Sequence, residues 1–261
     1  MGSKGLSGVK RAAALGIANW IASIRVPHFL LRTARVRVDQ SDPGRDAAIR
    51  ALMRDHCHGP VSLLEIGSWF GEGSTRIWLE VLPEGSDLVL LDRWAAYVSA
   101  EDAGKGSAGY FNMDRFHRSA LVNTADVVDR HPRNKSIETS IVRSEVGSFG
   151  KYMKPDLFDI IYIDGSHYYD DVKRDIEFAK KAINKKFGII CGDDLEILPD
   201  KEMIEHARAF KNRDFVAFKD QYFHPGVALA VAEEFEQVSM AHGFWWIFCQ
   251  DGVFSSLPPG E

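Results

Sequence analysis

The stretch that decides the fold is Val61-Ser62-Leu63-Leu64-Glu65-Ile66-Gly67-Ser68-Trp69-Phe70-Gly71-Glu72-Gly73-Ser74, followed by Leu88-Val89-Leu90-Leu91-Asp92. A short apolar run ends in an acid and a glycine turn, a helix-length segment follows, and a second apolar run ends on Asp92. These are the parts of a nucleotide-binding βαβ half, in which glycines let the backbone approach a ligand and the terminal acid accepts bonds from ribose hydroxyls. The pattern predicts a cofactor-dependent enzyme.

Outside this stretch, apolar runs at 137–142, 158–163, 187–191, 215–218 and 245–248 read as buried strands, and 74–82, 170–183 and 200–212 have helix length. Strands alternating with helices imply an α/β chain with a seven-stranded, mainly parallel sheet and helices on both faces. Ligands of such sheets bind at the carboxyl ends of the strands. That rule sets Gly67, Asp92, Ser144, Asp164 and Asp193 along one edge.

The chain has 261 residues, 45% hydrophobic and 26% charged, enough to bury one substantial core. A net charge of −5 gives no general attraction for phosphodiesters and disfavours nucleic acid as a partner. Cys57, Cys191 and Cys249 are scattered without a C-x-x-C pair, which suggests neither disulfides nor zinc and fits a reducing, cytoplasmic setting. The N-terminus differs: Lys4, Lys10, Arg11, Arg25, Arg32, Arg35 and Arg37 all precede the first acid, Asp39. The apolar stretch 12–24 is too short to span a membrane. It reads as a basic helix that lies on an anionic membrane surface, or as one that packs on the domain or a second subunit. The expected division is a basic helical appendage at 1–45 and a ligand-binding domain at 46–261. Residues 95–109, rich in glycine, are either a lid or a solvated connection.

Two families compete for the glycine turn. Gly67-x-x-x-Gly71-x-Gly73 has the spacing of NAD(P)-dependent short-chain dehydrogenases, and Tyr169-Asp-Asp-Val-Lys173 matches their Tyr-x-x-x-Lys pair. In that family, however, the pair sits inside a long helix, whereas Tyr169 follows a strand end closely, and Glu65 stands where a small residue is usual. Glu65-Ile66-Gly67-Ser68-Trp69-Phe70-Gly71 instead resembles motif I of class I S-adenosylmethionine-dependent methyltransferases, which have a Rossmann-like fold. The resemblance implies cofactor contacts from Glu65, Gly67, Ser68, Trp69 and Gly71, a ribose contact from Asp92, and an adenine-side position for Ser144.

Phe158-Asp-Ile-Ile-Tyr-Ile-Asp164-Gly-Ser-His167, followed by Gly188-Ile-Ile-Cys-Gly-Asp193-Asp194, resembles the branch holding the macrocin and other sugar O-methyltransferases and the cephalosporin-hydroxylase-like proteins. His224-Pro-Gly-Val and Phe244-Trp245 fit it too, and the likeness runs over about 61–248. The turn Gly71-Glu72-Gly73-Ser74 is a residue longer than the usual form, which leaves Ser74 without a role. Asp164, Asp193 and Asp194 come from neighbouring strand ends, and three carboxylates suit Mg²⁺; in the resembling enzymes such acids hold a metal that chelates adjacent hydroxyls. The alternative is that Asp164 only contacts cofactor and Asp193-Asp194 cap a helix. His167 is the candidate general base, because imidazole takes a proton near neutral pH; the alternative is a histidine that organises its loop. His224 is expected on a substrate-side loop and His206 in solvent, while Trp69, Trp94, Trp245 and Trp246 either stack on substrate or belong to the core. The reading is an O-methyltransferase with catalytic His167 and Asp164, acting on a small hydroxylated acceptor, a sugar or glycosylated metabolite. A non-catalytic nucleoside- or membrane-binding relative is the competing class.

Overall fold

The structure, a computed structural model, describes residues 40–103, 114–152 and 155–258. The basic segment 1–38 and residues 104–109 of the expected lid lie outside them. The described residues fall into two compact units: one holds Pro43–Gly67, Val81–Arg93 and the chain from Lys135 onward, and the other holds Ser68–Glu80, Trp94–Asn134 and residues 40–42.

The first unit carries every strand described: β1 (Ser62–Ile66), β2 (Asp87–Asp92), β3 (Glu138–Arg143), β4 (Ile160–Ile163), β5 (Phe187–Leu195), β6 (Val216–Phe218), β7 (Gln221–Phe223), β8 (Ser239–Ala241), β9 (Gly243–Gln250) and β10 (Val253–Ser255). The main sheet runs β10-β9-β5-β4-β1-β2-β3, with β8 also on β9. The pairs from β5 through β3 are parallel, and β8, β9 and β10 are antiparallel. The chain builds outward from β1 to β3 and then returns to β4 on the other side of β1. That reversal is the topological switch where such sheets open a crevice.

Both faces of the central strands are buried, which is why they read as continuous apolar runs. Leu64, Ile66, Ile161, Ile163 and Ile190 share one core with α4 (Tyr169–Ala182) and α6 (Pro225–Glu234). Alternation turns Leu63, Ile160, Tyr162 and Cys191 to the other face. There α1 (Pro43–His56) buries Ile49, Leu52 and Met53 and sets His56 against Phe248, ring centroids 4.8 Å apart. α6 is buried almost throughout from Pro225 to Val231; Pro225 opens it, where the missing N–H costs no helical bond.

The second unit contains α2 (Ser74–Val81) and α3 (Asp114–Arg130), with α5 (Lys201–Phe210) back in the first. Ile77, Trp78 and Leu79 of α2 are fully buried.

The sheet has one strand more than expected, and its membership differs. Residues 215–218 do not join it: β6 pairs only with β7 in a separate hairpin, turned by Lys219 at φ 54°. Short β8 and β10 complete the edge instead. No helix among the described residues is long and apolar enough to cross a membrane.

Candidate active site

The switch between β1 and β4 is closed by backbone. Asp164 N–H donates to the Ile66 carbonyl at 2.8 Å, and Gly67 N–H donates to Leu91 O at 2.9 Å. Gly67 has φ +91°, and a Cβ there would lie 2.0 Å from the Asp164 carbonyl oxygen. Glycine is therefore required by the meeting of two strand ends as well as by any ligand. On the neighbouring pair, Ser144 N–H donates to Asp92 O at 3.0 Å, which brings those two sequence-predicted residues to one edge. Glu65 is fully buried, on the strand face shared with Tyr162.

In the second unit the turn after Gly67 is held from its carbonyl side. Trp69 O accepts from Trp94 Nε1 at 2.9 Å and from Thr124 Oγ1 at 2.8 Å, and Phe70 O accepts from Asn123 Nδ2 at 2.8 Å. Gly71 N–H closes the turn onto Ser68 O at 2.8 Å. These bonds give the segment from Ser68 to Gly71 a fixed backbone.

At the ends of β4 and β5 the first unit gathers a dense charged cluster. Asp193 and Asp194 are sequence neighbours, and regular pleating would send them to opposite faces. A register shift between Gly192 and Leu195, with Asp194 at φ 65°, re-aims the second carboxylate. Asp193 consequently accepts from Arg45 of α1 at 2.9 Å, whereas Asp194 lies 3.1 Å from His167 Nε2. His167 Nδ1 is 2.8 Å from Asp214, and Asp164 accepts from the Tyr162 hydroxyl at 3.0 Å.

His224 joins the cluster because of the glycine two residues on. A Cβ on Gly226 would sit 2.2 Å from the His167 carbonyl oxygen, so only glycine lets the start of α6 press on that loop. The His167 and His224 rings are 4.3 Å apart, edge to face, and His224 Nδ1 is 2.6 Å from Glu196.

The acids divide their proton affinities. Burial and the charges of Asp194 and Asp193 push Asp164 well above the ordinary carboxylate range, against the pull of Arg45 and His167. Burial and Asp194 raise Asp193 to about 6 despite Arg45. Asp194 goes the other way: burial works against ionisation, but His167 and His224 hold it below the ordinary range. The site thus sets Asp194, held toward its anion, between two imidazoles, beside Asp164, whose proton affinity burial and its acidic neighbours raise.

The trio expected to hold Mg²⁺ is brought together, yet each member is engaged by a different protein donor: Tyr162 on Asp164, Arg45 on Asp193, His167 on Asp194. The donor atoms that converge within 4.8 Å belong instead to His167, Asp194 and His224. Two imidazoles and a guanidinium do not fit an ion that prefers six oxygen ligands.

A methyltransferase-domain family model matches residues 64–195, half of the chain, and spans β1 through β5. The chain belongs to this family. Family and strand order make it a class I S-adenosylmethionine-dependent methyltransferase. An O-methyltransferase from Bacillus cereus, solved with SAH, is 15% identical, with 88% of this chain and 96% of that chain covered and a TM-score of 0.49. The O-methyltransferase TomG from Streptomyces achromogenes, solved with SAM, is 13% identical, with 92% and 98% covered and a TM-score of 0.45. No curated protein matches the sequence.

In this methyltransferase the Tyr169–Lys173 pair of the dehydrogenase reading has another use. Lys173 Nζ donates to the Tyr169 hydroxyl at 3.0 Å, and both bond Glu233, tying α4 to α6. Trp94 and Trp245 are core, each 1% exposed. His206, expected in solvent, is instead half-buried, its Nε2 3.0 Å from Ala217 O and its ring packed against Phe210, Phe218 and Phe223.

Five site residues were not legible in the sequence: Arg45, Glu196, Asp214 and the exposed aromatic pair Phe215 and Tyr222. The two rings stack at 5.5 Å, and Phe215 lies 4.7 Å from the His224 ring. Phe223 is buried while Tyr222 is 62% exposed, so the hairpin anchors on one side and presents aromatics on the other.

Proposed function

We propose that this methyltransferase transfers a methyl group to a hydroxyl of a small neutral acceptor, and that a sugar or glycosylated metabolite is the acceptor class. The observation that carries the reading is His167, whose Nδ1 is held by Asp214 while Nε2 faces the strand ends. A carboxylate at Nδ1 fixes that nitrogen as a donor, and Nε2 of the neutral ring takes a proton once an acceptor hydroxyl replaces Asp194, 3.1 Å away, as its partner.

S-adenosylmethionine, when bound, supplies an electrophilic methyl on a sulfonium. The resemblance assigns its holding to Gly67, Ser68, Trp69 and Gly71 for the methionine part, with Asp92 for ribose hydroxyls and Ser144 beside the adenine. Gly67 fits because no side chain covers the strand end, and Asp92 fits as a half-buried acid at the end of β2. The resemblance assigns Glu65 to the ligand's ammonium. An acceptor hydroxyl that replaces Asp194 at Nε2 of the neutral ring gives up its proton there, and the anionic Asp194 steadies the imidazolium that results. Asp164, at the end of β4 with its proton affinity raised by burial, is placed to hydrogen-bond the acceptor and orient it. Phe215 and Tyr222 offer a ring face beside His224. No step is routed through Mg²⁺, because the residues present do not fit it.

A second reading has one observation in its favour. His224 Nδ1 is fixed by Glu196, and its Nε2 is the nitrogen that Glu196 does not engage, so His224 has the geometry of a base as well. The division of the chain into a basic 1–45 appendage and a 46–261 domain, cytoplasmic placement, and membrane or self-association through the basic segment belong to the same proposal.

The test is transfer from methyl-labelled S-adenosylmethionine to a panel of sugars, glycosides and catechols, with wild type, His167→Ala and His224→Ala. Loss of label transfer in His167→Ala with retained S-adenosylhomocysteine binding supports the first reading. Loss confined to His224→Ala moves the base to His224, and labelling of nitrogen acceptors alone refutes O-methylation.

A further inference from the structure

We propose that the Arg45 guanidinium is a built-in cation at this site, standing where a divalent ion would otherwise neutralise Asp164, Asp193 and Asp194. The inference concerns the charge of the site and does not rest on the methyl-transfer reading.

Three observations carry it. Arg45 Nη1 donates to Asp193 Oδ2 at 2.9 Å with both side chains nearly buried, 8% and 14% exposed. The same guanidinium acts electrostatically on Tyr162, Asp193 and Asp164, so its charge reaches two of the three acids directly. Asp193 also accepts the Asp194 backbone N–H, and the remaining acid, Asp194, has its charge opposed by His167 and His224. Every carboxylate of the trio therefore has a protein donor. A guanidinium keeps its charge at all accessible pH, and its planar fork suits a buried carboxylate.

Arg45 is also placed deliberately by the fold. It lies in the first turn of α1, where Gly44 packs so closely on His242 that a Cβ would fall 2.6 Å from the imidazole Cγ. Asp46, at 3.4 Å, steadies the guanidinium from its other side. A mobile surface arginine would leave the acids open to a metal; one seated in this way does not. A hydrated Mg²⁺ needs six oxygen positions, and a fixed positive charge hydrogen-bonded to Asp193 repels it.

The proposal predicts that removing the guanidinium creates a magnesium site. Calorimetric titration with Mg²⁺ alone should show no Asp193-dependent binding to the full-length wild type. Arg45→Met, which keeps bulk and removes charge, should bind one equivalent of Mg²⁺, and Arg45→Met/Asp193→Asn should lose it. If Arg45→Met folds only when Mg²⁺ is present, the same conclusion is read through stability. Wild-type binding of one Mg²⁺ that Asp193→Asn abolishes overturns the proposal, and so does a folded Arg45→Met that binds none. Should Arg45→Met fold under neither condition, the wild-type and Asp193→Asn titrations decide, and failure of methyl transfer to any acceptor leaves all of these binding outcomes unaffected.

Discussion

Replacing Asp175 with Asn should change how the stability of the protein depends on pH. Asp175 lies on α4 and is only 7% exposed. Burial, reinforced by the charge of Asp171 and opposed by Arg174 and Arg93, raises its pKa from 3.8 to about 7. Below about pH 4 the carboxyl is protonated in both folded and unfolded chains and contributes no difference. As pH rises toward 7, the unfolded chain releases its proton while the folded chain retains it, so stability is lost through that window. The loss is complete above the folded pKa. A shift of roughly three units corresponds to on the order of 4 kcal/mol, a large share of the stability of a typical domain. Asn cannot titrate, so the stability of Asp175→Asn relative to wild type should grow by up to that amount between about pH 4 and about pH 8. Urea unfolding at a series of pH values measures it. A difference between the two proteins that stays flat across the window would refute the account of a proton held on a buried acid.

Other consequences concern the site. His167→Ala should slow methyl transfer by a factor on the order of 10² to 10⁴ while leaving S-adenosylhomocysteine affinity unchanged, and an equal loss of affinity would make the residue structural. Asp214→Asn should lower kcat and move the pH–rate profile without raising the acceptor KM, since it acts through the orientation of His167; an unchanged profile would count against that link. Gly67→Ala should destabilise by roughly 2 kcal/mol or more, from the positive φ and from a Cβ thrust at Asp164, and urea unfolding indistinguishable from wild type would show that the strand ends separate freely. Phe215→Ala and Tyr222→Ala should raise the acceptor KM several-fold with kcat nearly retained; loss of kcat alone would mean the rings do not bind the acceptor.

Much of the fold was legible because its strands are buried on both faces. Residues 61–66, 88–92, 158–163 and 187–191 announce themselves as unbroken apolar runs, and their carboxyl ends locate Gly67, Asp92, Asp164 and Asp193 without further information. Residues 215–218 have the same apolar look, but Lys219 and Asp220 turn the chain at once, and the run is spent on a two-stranded hairpin. Short β8 and β10 carry too little pattern to stand out. The candidate site was legible where a residue belongs to a strand end and obscure where it comes from elsewhere. Arg45 sits in a polar helix whose relation to the sheet no local signal gives, and Asp214 is one charge in Lys211-Asn212-Arg213-Asp214. His224 did have a signal, the following Pro225-Gly226, although only the structure shows that Gly226 is what lets it meet His167. That Asp194 joins Asp193 in one cluster depends on a bulge, which pairing creates and sequence alternation conceals.

The central claim is that the switch-point edge of this sheet binds S-adenosylmethionine, and titration of the full-length protein with S-adenosylhomocysteine, with NAD⁺ as the comparison, tests it most directly. The account predicts saturable one-to-one binding of S-adenosylhomocysteine that Asp92→Ala weakens, and no binding of NAD⁺. Saturable NAD⁺ binding with none of S-adenosylhomocysteine would contradict it.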